Sequence, residues 1–266
     1  MTADYASTVG TLRNAGCVFA EDEARLLIDA ATSAEDLARL VQKRVSGEPL
    51  EQILGWAEFC GRRIVVEPGV FVPRRRTELL VHEAAALAST GAVVVDMCCG
   101  SGAVGAALLA RLNGIDLHAA DNDPAAVHCA RRNIGARVYE GDLFDALPAS
   151  LRGRVNILVA NVPYVPSDAV ATMPPEARTY EPRSALDGGA DGLDIARRLV
   201  SGAREWLAPG ASLLFETSKR QVATAVDIIA GHGFAPRVAR SEELDATAVV
   251  ATVLAPRLDQ PSRLST

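Results

Sequence analysis

The chain has 266 residues, a length that fits a catalytic domain of about 190 residues with a small additional domain. Hydrophobic residues make up 49% of the chain and charged residues 23%, a composition that indicates a soluble globular protein and excludes disordered, collagen-like and coiled-coil chains. The net charge of -6 disfavours a broad surface for nucleic acid but leaves room for a local basic patch.

The cysteine pattern predicts reduced thiols and no metal site. The cysteines are odd in number, form no Cys-x-x-Cys pair, and have no histidine at metal-ligand spacing. The first residues include Asp4 and no apolar segment typical of a secretion signal, and no stretch of about 18 uncharged apolar residues occurs. We therefore expect a cytoplasmic protein without a membrane-spanning segment. The cysteines are Cys17, Cys60, Cys98, Cys99 and Cys129.

Residues 1–58 are predicted to form a small helical domain. After Ser33, apolar side chains recur at helical spacing until Gly47 and Pro49 end the pattern. Residues 21–31 form a second amphipathic candidate. The first 60 residues contain five basic and ten acidic side chains, so this domain is acidic.

Residues 59–76 are predicted to form a β-hairpin linker, because two extended runs are interrupted by Gly61 and by Pro68 with Gly69. Residues 61–80 carry five Arg and two Glu, a local excess of positive charge. Three of these arginines are adjacent. They could neutralise RNA phosphates, but we favour a solvated face. The three are Arg74, Arg75 and Arg76.

Strands and helices alternate from about residue 91, which predicts a parallel sheet in an α/β domain at 77–255. The tail at 256–266 is expected to be disordered. Strands are predicted at 91–99, 115–123, 136–144, 155–164, 210–218, 234–241 and 246–255. Helices are predicted at 102–114, 123–135, 191–207 and 221–233, with a loop at 165–192.

The first strand of this sheet ends in a loop that contains glycine. Glycines allow the backbone to approach a ligand closely at the carboxyl edge of an open sheet. A tight strand-to-helix turn explains the same pattern equally well. The loop follows Asp96 and Met97 and consists of Cys98, Cys99, Gly100, Ser101 and Gly102.

Carboxylates close the next two strands. Asp121 could accept hydrogen bonds from both hydroxyls of a ribose. It could instead cap the following helix, but Asp123 is better placed for capping, so we assign Asp121 to the ligand and Asp123 to the cap. Asp142 could recognise an adenine amino group, or be an ordinary loop residue beside a buried Leu143.

The segment Asn161, Val162, Pro163 and Tyr164 follows the fourth strand. Asp96, Asp121, Asp142 and Asn161 are separated by 25, 21 and 19 positions, a regular spacing that places them along one sheet edge. The first three features suit a ligand that contains adenosine. The fourth presents a side-chain amide, a backbone carbonyl and an aromatic ring where a planar NH₂ group could bind.

Asn-x-Pro-Tyr together with the glycine loop resembles class I S-adenosylmethionine methyltransferases that modify planar amino groups. Three further segments are similar to the release-factor glutamine N5-methyltransferases, over about residues 45 to 225. They are GEPLEQILG at 47–55, Phe71 to Arg74 followed by Thr77 and Glu78, and EPRSALDGGADGLD at 181–194.

This resemblance implies a Rossmann-like domain with a mostly parallel seven-stranded sheet, a hairpin linker and a helical N-terminal domain that helps to recognise the release factor. It implies that Asn161, Val162, Pro163 and Tyr164 hold the target amide. Phe71 and Pro73 could close the cofactor pocket or form hairpin core. The implied contacts of S-adenosyl-L-methionine are Phe71, Cys98, Cys99, Gly100, Ser101, Gly102, Asp121, Asp142, Leu143 and Asn161.

The sequence departs from the family pattern in four places. Val162 replaces the first Pro of Asn-Pro-Pro-Tyr, and Cys98 replaces the first Gly of the cofactor loop. Arg75 and Arg76 replace a Pro and an acidic residue, and residues 245–253 lack an expected Arg. These departures favour a divergent paralogue with a different protein substrate.

An amide nitrogen is a poor nucleophile because its lone pair is delocalised into the carbonyl. The Asn161 side-chain oxygen and the Val162 carbonyl could accept from its two N–H groups and stabilise the charge that develops during transfer. Tyr164 is predicted to pack on the amide plane, or to be a core aromatic residue. Glu181 and Asp187 are predicted to order the long loop, or to lie on a surface loop.

The leading hypothesis is a methyltransferase for glutamine N5 in a protein, in the Gly-Gly-Gln loop of a peptide-chain release factor. An adenine N6-methyltransferase acting on RNA or DNA is an alternative, but the acidic N-terminal domain argues against it. A partner module that binds the cofactor without turnover is a second alternative. The presence of Asn161, Asp121 and Asp142 argues against that module.

Overall fold

The structure is a computed structural model, and it describes residues 2–135 and 137–254. The predicted disorder of 256–266 concerns residues outside this range. The N-terminal part consists of four helices around a small apolar core of its own, in which Leu12, Leu27 and Leu40 are buried. The helices are α1 (Thr2–Asn14), α2 (Ala20–Ala30), α3 (Ala34–Val45) and α4 (Leu50–Leu54).

Local sequence signals set the ends of these helices. The Ser33 side chain accepts a hydrogen bond from the backbone N–H of Asp36 and so caps the start of α3. Gly55 ends α4 in the left-handed conformation that favours glycine. The antiparallel hairpin of β1 (Trp56–Phe59) and β2 (Arg62–Val65) follows directly.

The predicted linker at 59–76 differs from this hairpin in its bounds. The two strands lie at 56–65, the Val66 N–H still donates to the carbonyl oxygen of Gly55 at 3.1 Å, and Pro68, which has no N–H to donate, follows. The extended residues that follow still bury apolar side chains, among them Val66, Val70 and Val72.

The α/β part contains a seven-stranded sheet in the order β5-β4-β3-β6-β7-β9-β8. The strands β3 to β7 are parallel, and the last two pair antiparallel to β7 and to each other. This arrangement confirms the predicted Rossmann-like fold. The strands are β3 (Val93–Met97), β4 (Asp116–Asp121), β5 (Val138–Glu140), β6 (Val155–Ala160), β7 (Leu207–Glu216), β8 (Phe234–Ser241) and β9 (Ala246–Val253).

Helices cover both faces of the sheet. On one face, α5 and α6 pack against β3, β6 and β7, and on the other α9 and α10 do so, which produces two separate apolar cores. All five residues of β3 are therefore buried, as the continuous apolar run predicts. The helices are α5 (Glu78–Leu87), α6 (Ala103–Arg111), α7 (Pro124–Ile134), α8 (Pro175–Tyr180), α9 (Asp194–Trp206) and α10 (Val222–Gly231).

Three local predictions need correction. The third strand is only three residues long, and it is followed by Gly141 with a φ of 154° and by a 3₁₀ turn that begins at Leu143. The loop at 165–192 contains α8 and further short turns, so it is ordered along its length. The strand predicted at 210–218 begins earlier, at Leu207.

The loop at 165–192 also joins the N-terminal helices to the sheet. Gln52 donates from Nε2 to the carbonyl oxygens of Val70 and Tyr180, at 3.0 and 3.3 Å. The Tyr180 hydroxyl donates to the carbonyl oxygen of Ser46 at 3.1 Å. The end of the helical domain, the chain after the hairpin and the long loop therefore meet above the sheet edge.

Within residues 2–135 and 137–254, every helix is too short or too polar to cross a bilayer. All five cysteines are free thiols. No cluster of three or more His, Cys, Asp or Glu side chains suited to a metal ion occurs in the described part of the chain.

Candidate functional site

A cavity of about 360 Å³ opens at the carboxyl ends of β3, β4, β5 and β6, the position where open α/β sheets bind ligands. Asp96, Asp121, Asp142 and Asn161 all line it, so the regular spacing along the chain does correspond to one sheet edge. Of the residues predicted to contact cofactor or target, only Gly102 lies outside this lining. Gly102 instead packs against α7, where a Cβ would lie 3.1 Å from the Cβ of Ala130.

The loop after β3 holds a non-glycine residue in a conformation that favours glycine. Cys98 has a φ of 56°, which costs roughly 1–2 kcal/mol for a residue with a Cβ. Cys98 therefore holds this part of the loop in a strained backbone conformation. The adjacent Gly100 leaves space toward the cavity, since no described atom lies within 4 Å of the position of its Cβ.

Asp121 organises this loop from the end of β4. Its Oδ2 accepts from the backbone N–H of Gly100 at 2.8 Å, and its Oδ1 accepts from that of Asp123 at 3.0 Å. Burial raises the pKa of the Asp121 carboxyl above its usual range. A carboxylate has about four acceptor positions, so these two bonds leave room for a ligand. The predicted cap is confirmed, because the Asp123 side chain accepts from the N–H of Ala125 at 2.9 Å.

Asp96 is indicated by the sequence only through its position, but it is one of the most buried carboxyls. Its side chain accepts from the backbone N–H of Gly105 at 2.8 Å, near the start of α6. Burial is the main reason why the pKa of Asp96 rises to about 8, and the charge of Asp121 adds to the effect. Asp96 therefore joins β3 to α6 directly behind the glycine loop.

Asp142 lies at the rim of the cavity. Its carboxylate pairs with Arg198 of α9 at 2.6 Å, and both side chains are 53% exposed. Leu143 is buried in the core beside Phe144, as expected if Asp142 is an ordinary loop residue. The role of Asp142 toward an adenine ring stays a prediction.

The segment after β6 is fixed from both sides. The Val162 side chain is only 2% exposed and packs in the core under α9. The Tyr164 hydroxyl donates to Glu216 at 2.8 Å. Burial, together with the charge of Glu216, raises the pKa of Tyr164 above its usual range. Tyr164 is thus neither a simple core aromatic nor a free ring, because its position depends on a buried carboxylate.

The segment 188–192 passes under the backbone of Pro163 and Tyr164. A Cβ on Gly188 would lie 2.5 Å from the carbonyl oxygen of Pro163, and one on Gly192 would overlap the carbonyl oxygen of Tyr164. Gln221 connects the two segments, since its Nε2 donates to the carbonyl oxygens of Tyr164 and Asp191 at 2.9 and 2.8 Å. The glycines therefore permit a close backbone contact that holds the Asn161 to Tyr164 segment.

The predicted solvated face of three arginines is wrong for Arg74, whereas Arg76 is exposed over 49% of its side chain although it also has a buried partner. Arg74 binds the buried Glu181 carboxylate through Nη2, at 2.8 and 2.6 Å, and its guanidinium stacks 4.8 Å from the Phe71 ring centre. Arg76 pairs with the buried Glu216 at 3.3 Å. Only Arg75 is strongly exposed, at 73% of its side chain.

Glu181 therefore does order the long loop. Its Oε1 also accepts from the backbone N–H of Val72 at 3.2 Å, so one carboxylate ties the loop to the chain that leaves the hairpin. Phe71 lies on that chain and lines the cavity, and its role in closing a cofactor pocket stays a prediction.

The roles of three functional residues were missed by reasoning from the sequence. Glu216 ends β7 and follows the same rule as Asp121, a polar side chain at a strand end, so this signal could have found it. Gln221 carries no such signal, because its contacts are with residues distant in sequence, and Thr77 was named only as part of a segment similar to the family, with no role assigned to it.

Comparison with known proteins decides the family. A family model described as the methyltransferase small domain matches residues 61–176. The release factor glutamine methyltransferase of Geobacter sulfurreducens is 41% identical over 214 residues, which cover 77% of this chain and 74% of that protein. The chain belongs to the release factor glutamine methyltransferase family.

Two other comparisons define the breadth of this likeness. A 4-amino-L-phenylalanine/4-methylamino-L-phenylalanine methyltransferase of Streptomyces pristinaespiralis is 38% identical over 199 residues, covering 69% of this chain and 66% of that protein. The crystal structure of a methyltransferase from Pyrococcus furiosus aligns with a TM-score of 0.56 over 84% of this chain and 100% of that chain. At 14% identity this last match supports the fold alone.

As a member of the release factor glutamine methyltransferase family, the chain is an S-adenosyl-L-methionine-dependent methyltransferase, as predicted. The residues present fit this cofactor. The space at Gly100, the acceptor positions of Asp121 and the apolar side chains of Phe71, Leu143 and Ile195 line one continuous cavity. A ribose, a planar base and a short amino acid chain need such a mixed surface.

We expect Asp121→Ala to weaken S-adenosyl-L-methionine binding at least about tenfold, because the loop loses its anchor and the ligand loses an acceptor. Isothermal titration calorimetry measures the affinity. Asp116→Ala is the matched control, since Asp116 begins the same strand at the opposite edge of the sheet. Equal affinities of the wild type and Asp121→Ala would contradict the assignment.

Gly192→Ala is expected to lower the methyl-transfer rate about 100-fold, because the new Cβ displaces the Tyr164 carbonyl. Gly210→Ala is the matched control. Both glycines have a φ of 77°, but a Cβ at Gly210 meets no described atom within 4 Å. Similar rates for the two variants would show that backbone strain, rather than the close contact, sets the loss.

We expect the free energy of unfolding of the Asp96→Asn variant to fall less with rising pH than that of the wild type. Because the folded-state pKa of Asp96 lies above its unfolded value, the protonated form stabilises the protein at low pH. That contribution falls as pH rises from about 4 to about 8. Urea unfolding across this range should show the Asp96→Asn variant gaining stability relative to the wild type as pH increases. Parallel curves for the two proteins would exclude a raised pKa at this position.

Proposed function

We propose that this enzyme methylates the N5 amide nitrogen of a glutamine in the Gly-Gly-Gln loop of a peptide-chain release factor. The observation that carries the proposal is the likeness to release factor glutamine methyltransferases, at 41% identity over 77% of the chain, in a protein that presents Asn161 to Tyr164 beside the cofactor cavity. We further propose that it acts in the cytoplasm, where five free thiols stay reduced.

The chemistry requires that an amide nitrogen become nucleophilic. When bound, S-adenosyl-L-methionine supplies an electrophilic methyl group. Asn161 Oδ1 and the Val162 carbonyl oxygen are the acceptors that would bind the two N–H groups of the target. Such acceptors orient the nitrogen lone pair toward the methyl group and stabilise the positive charge that develops, an effect worth about 3 kcal/mol for each preorganised group.

Val162 is compatible with this role although the family pattern has Pro. A peptide carbonyl is present at any residue, and the buried Val162 side chain anchors that peptide in the core. Pro163 also biases the preceding residue toward an extended conformation. The anchoring therefore compensates for the φ restriction that Pro would supply.

No general base is required before transfer. The N–H groups of a neutral amide are weak acids, and they become acidic only after the nitrogen gains a fourth bond. The proton then leaves to solvent through the open mouth of the cavity. The enzyme's task is to position and dehydrate the target, in agreement with a site built from acceptors and apolar side chains.

The test is an incubation of the full-length protein with S-adenosyl-L-methionine labelled in its methyl group. Parallel reactions contain release factor, release factor with Gly-Gly-Gln changed to Gly-Gly-Asn, total RNA, or 4-amino-L-phenylalanine. The proposal requires label in the release factor alone, with loss of label in its Asn variant. Label only in RNA or only in the aromatic amine would overturn the glutamine assignment, and cofactor binding without any transfer would favour a partner module.

Asn161→Ala is expected to abolish transfer while S-adenosyl-L-methionine affinity changes less than about threefold, because the lost acceptor faces the target rather than the cofactor. Single-turnover rates and calorimetry separate the two effects. Asn156→Ala is a control of the same residue type on the same strand, where its side chain accepts from the N–H of Val93. Turnover by Asn161→Ala at the wild-type rate would remove Asn161 from the mechanism.

A further inference from the structure

A buried carboxylate lies directly behind the proposed target site. Glu216 ends β7, is only 3% exposed and does not line the cavity. Its Oε2 accepts from the Thr77 hydroxyl at 2.7 Å, and its Oε1 accepts from the Tyr164 hydroxyl at 2.8 Å. One side chain from the sheet therefore binds residues of two separate segments, each of which lines the cavity.

The protons available on Glu216, Thr77 and Tyr164 determine which group donates in each hydrogen bond. An ionised carboxylate can only accept, so both hydroxyls must donate to Glu216. The Thr77 hydroxyl has one proton, and Glu216 takes it. Thr77 Oγ1 can then act toward any other neighbour only as an acceptor.

That neighbour is Asn161. Its Nδ2 donates to Thr77 Oγ1 at 3.4 Å, a long bond of the kind that tightens when an active site is occupied. With the NH₂ group committed to Thr77, Oδ1 is the atom of the amide that is available to a ligand. The opposite rotamer would place Oδ1 against an oxygen that has no proton left to give.

Arg76 supplies a counter-charge to the Glu216 carboxylate. A buried carboxylate without a counter-charge is strongly disfavoured, and Arg76 Nε lies 3.3 Å from Glu216 Oε1.

We propose that Glu216 is a positioning residue for methyl transfer, which holds Asn161 through Thr77 with its carbonyl oxygen toward the target NH₂ group and holds Tyr164 directly. The identity of the target rests on the proposed function. The hydrogen bonds from Glu216 through Thr77 to Asn161 would serve any planar NH₂ group that receives the methyl group. Each such NH₂ group donates hydrogen bonds and therefore needs the Asn161 Oδ1 rather than its Nδ2.

Substitutions at Thr77 test the hydrogen bonds from Glu216 through Thr77 to Asn161 with little change in side-chain volume. Thr77→Val keeps the shape and removes the hydroxyl, whereas Thr77→Ser keeps the hydroxyl. We expect the single-turnover rate of Thr77→Val to fall about 30- to 100-fold and that of Thr77→Ser to stay within about threefold of the wild type. Cofactor affinity should change less than about twofold in both variants. Equal rates for the two variants would overturn the proposal.

Thr247→Val is the matched control for a buried Thr that becomes Val. Thr247 is 3% exposed, like Thr77, but its Oγ1 has no hydrogen-bond partner among the described residues. Its rate should equal that of the wild type. A loss as large as that of Thr77→Val would mean that core polarity in general, rather than this chain of contacts, controls the rate.

Glu216→Gln provides a second, independent test. Gln can donate as well as accept, so it removes the requirement that the Thr77 proton point away from Asn161. We expect a loss similar to that of Thr77→Val, and the double variant should lose no more than the larger single loss, because both substitutions break one chain. If the rate loss of the double variant equals the product of the two single losses, the two substitutions act independently, and the proposed series of hydrogen bonds is rejected.

A separate readout keeps this test independent of the substrate. The side-chain NH₂ resonances of Asn161, assigned by ¹⁵N labelling and the Asn161→Ala spectrum, report the contact with Thr77. They should shift in Thr77→Val and Glu216→Gln and stay in place in Thr77→Ser. If the wild type transfers methyl to another acceptor or to none, the proposed function fails while these spectra still decide the proposal. Unchanged resonances in all variants would reject it.

Discussion

In a sheet that is covered by helices on both faces, charged side chains are most easily accommodated near the ends of the strands. Val93 to Met97 are buried throughout, and the same holds for most of β6 and β7. The carboxyl ends of these strands are therefore where Asp96, Asn161 and Glu216 can lie without an unpaired polar group in the core. The position of the site follows from this constraint before any chemistry is considered.

Each of these polar groups is then fixed by a partner that is not in the sheet. Asp96 accepts from the start of α6, Asp121 accepts from the glycine loop, and Glu216 accepts from Thr77 and Tyr164. Glu181 does the same for the chain that leaves the hairpin. Preorganisation in this enzyme thus consists of buried carboxylates that receive hydrogen bonds from loops, which leaves the loops little freedom when ligands bind.

Much of this architecture could be predicted from the sequence. Apolar runs indicate the strands, and the polar residues that end them indicate Asp121 and Asn161, because strand ends are local features of a chain. The solvated face expected at Arg74 was wrong, and the buried partner of the exposed Arg76 was not foreseen, for one physical reason. Their partners, Glu181 and Glu216, lie more than a hundred positions away, and charge alone does not indicate which carboxylate a guanidinium meets.

The contacts of the segment 188–192 also could not be predicted from the local sequence. Three glycines at 188, 189 and 192 indicate a turn, and turns are common. That Gly188 and Gly192 lie against the carbonyl oxygens of Pro163 and Tyr164 depends on how two loops pack, which no local pattern contains. Thr77 was named from its sequence segment without a role for this reason too, because its contacts with Glu216 and Asn161 join residues distant in sequence.

The departures from the family pattern fall at positions where the surrounding structure can absorb them. Val162 loses the ring of Pro but gains an anchor in the core, and Cys98 keeps the left-handed backbone at a cost of roughly 1–2 kcal/mol. Arg76 replaces an acidic residue of the pattern, and its guanidinium pairs with the buried Glu216 carboxylate. None of the three changes removes an acceptor from the target site or a donor from the cofactor loop. At these three positions the chain differs from the pattern, while Asn161 Oδ1 and the Val162 carbonyl oxygen, the acceptors that we propose for the target amide, are present.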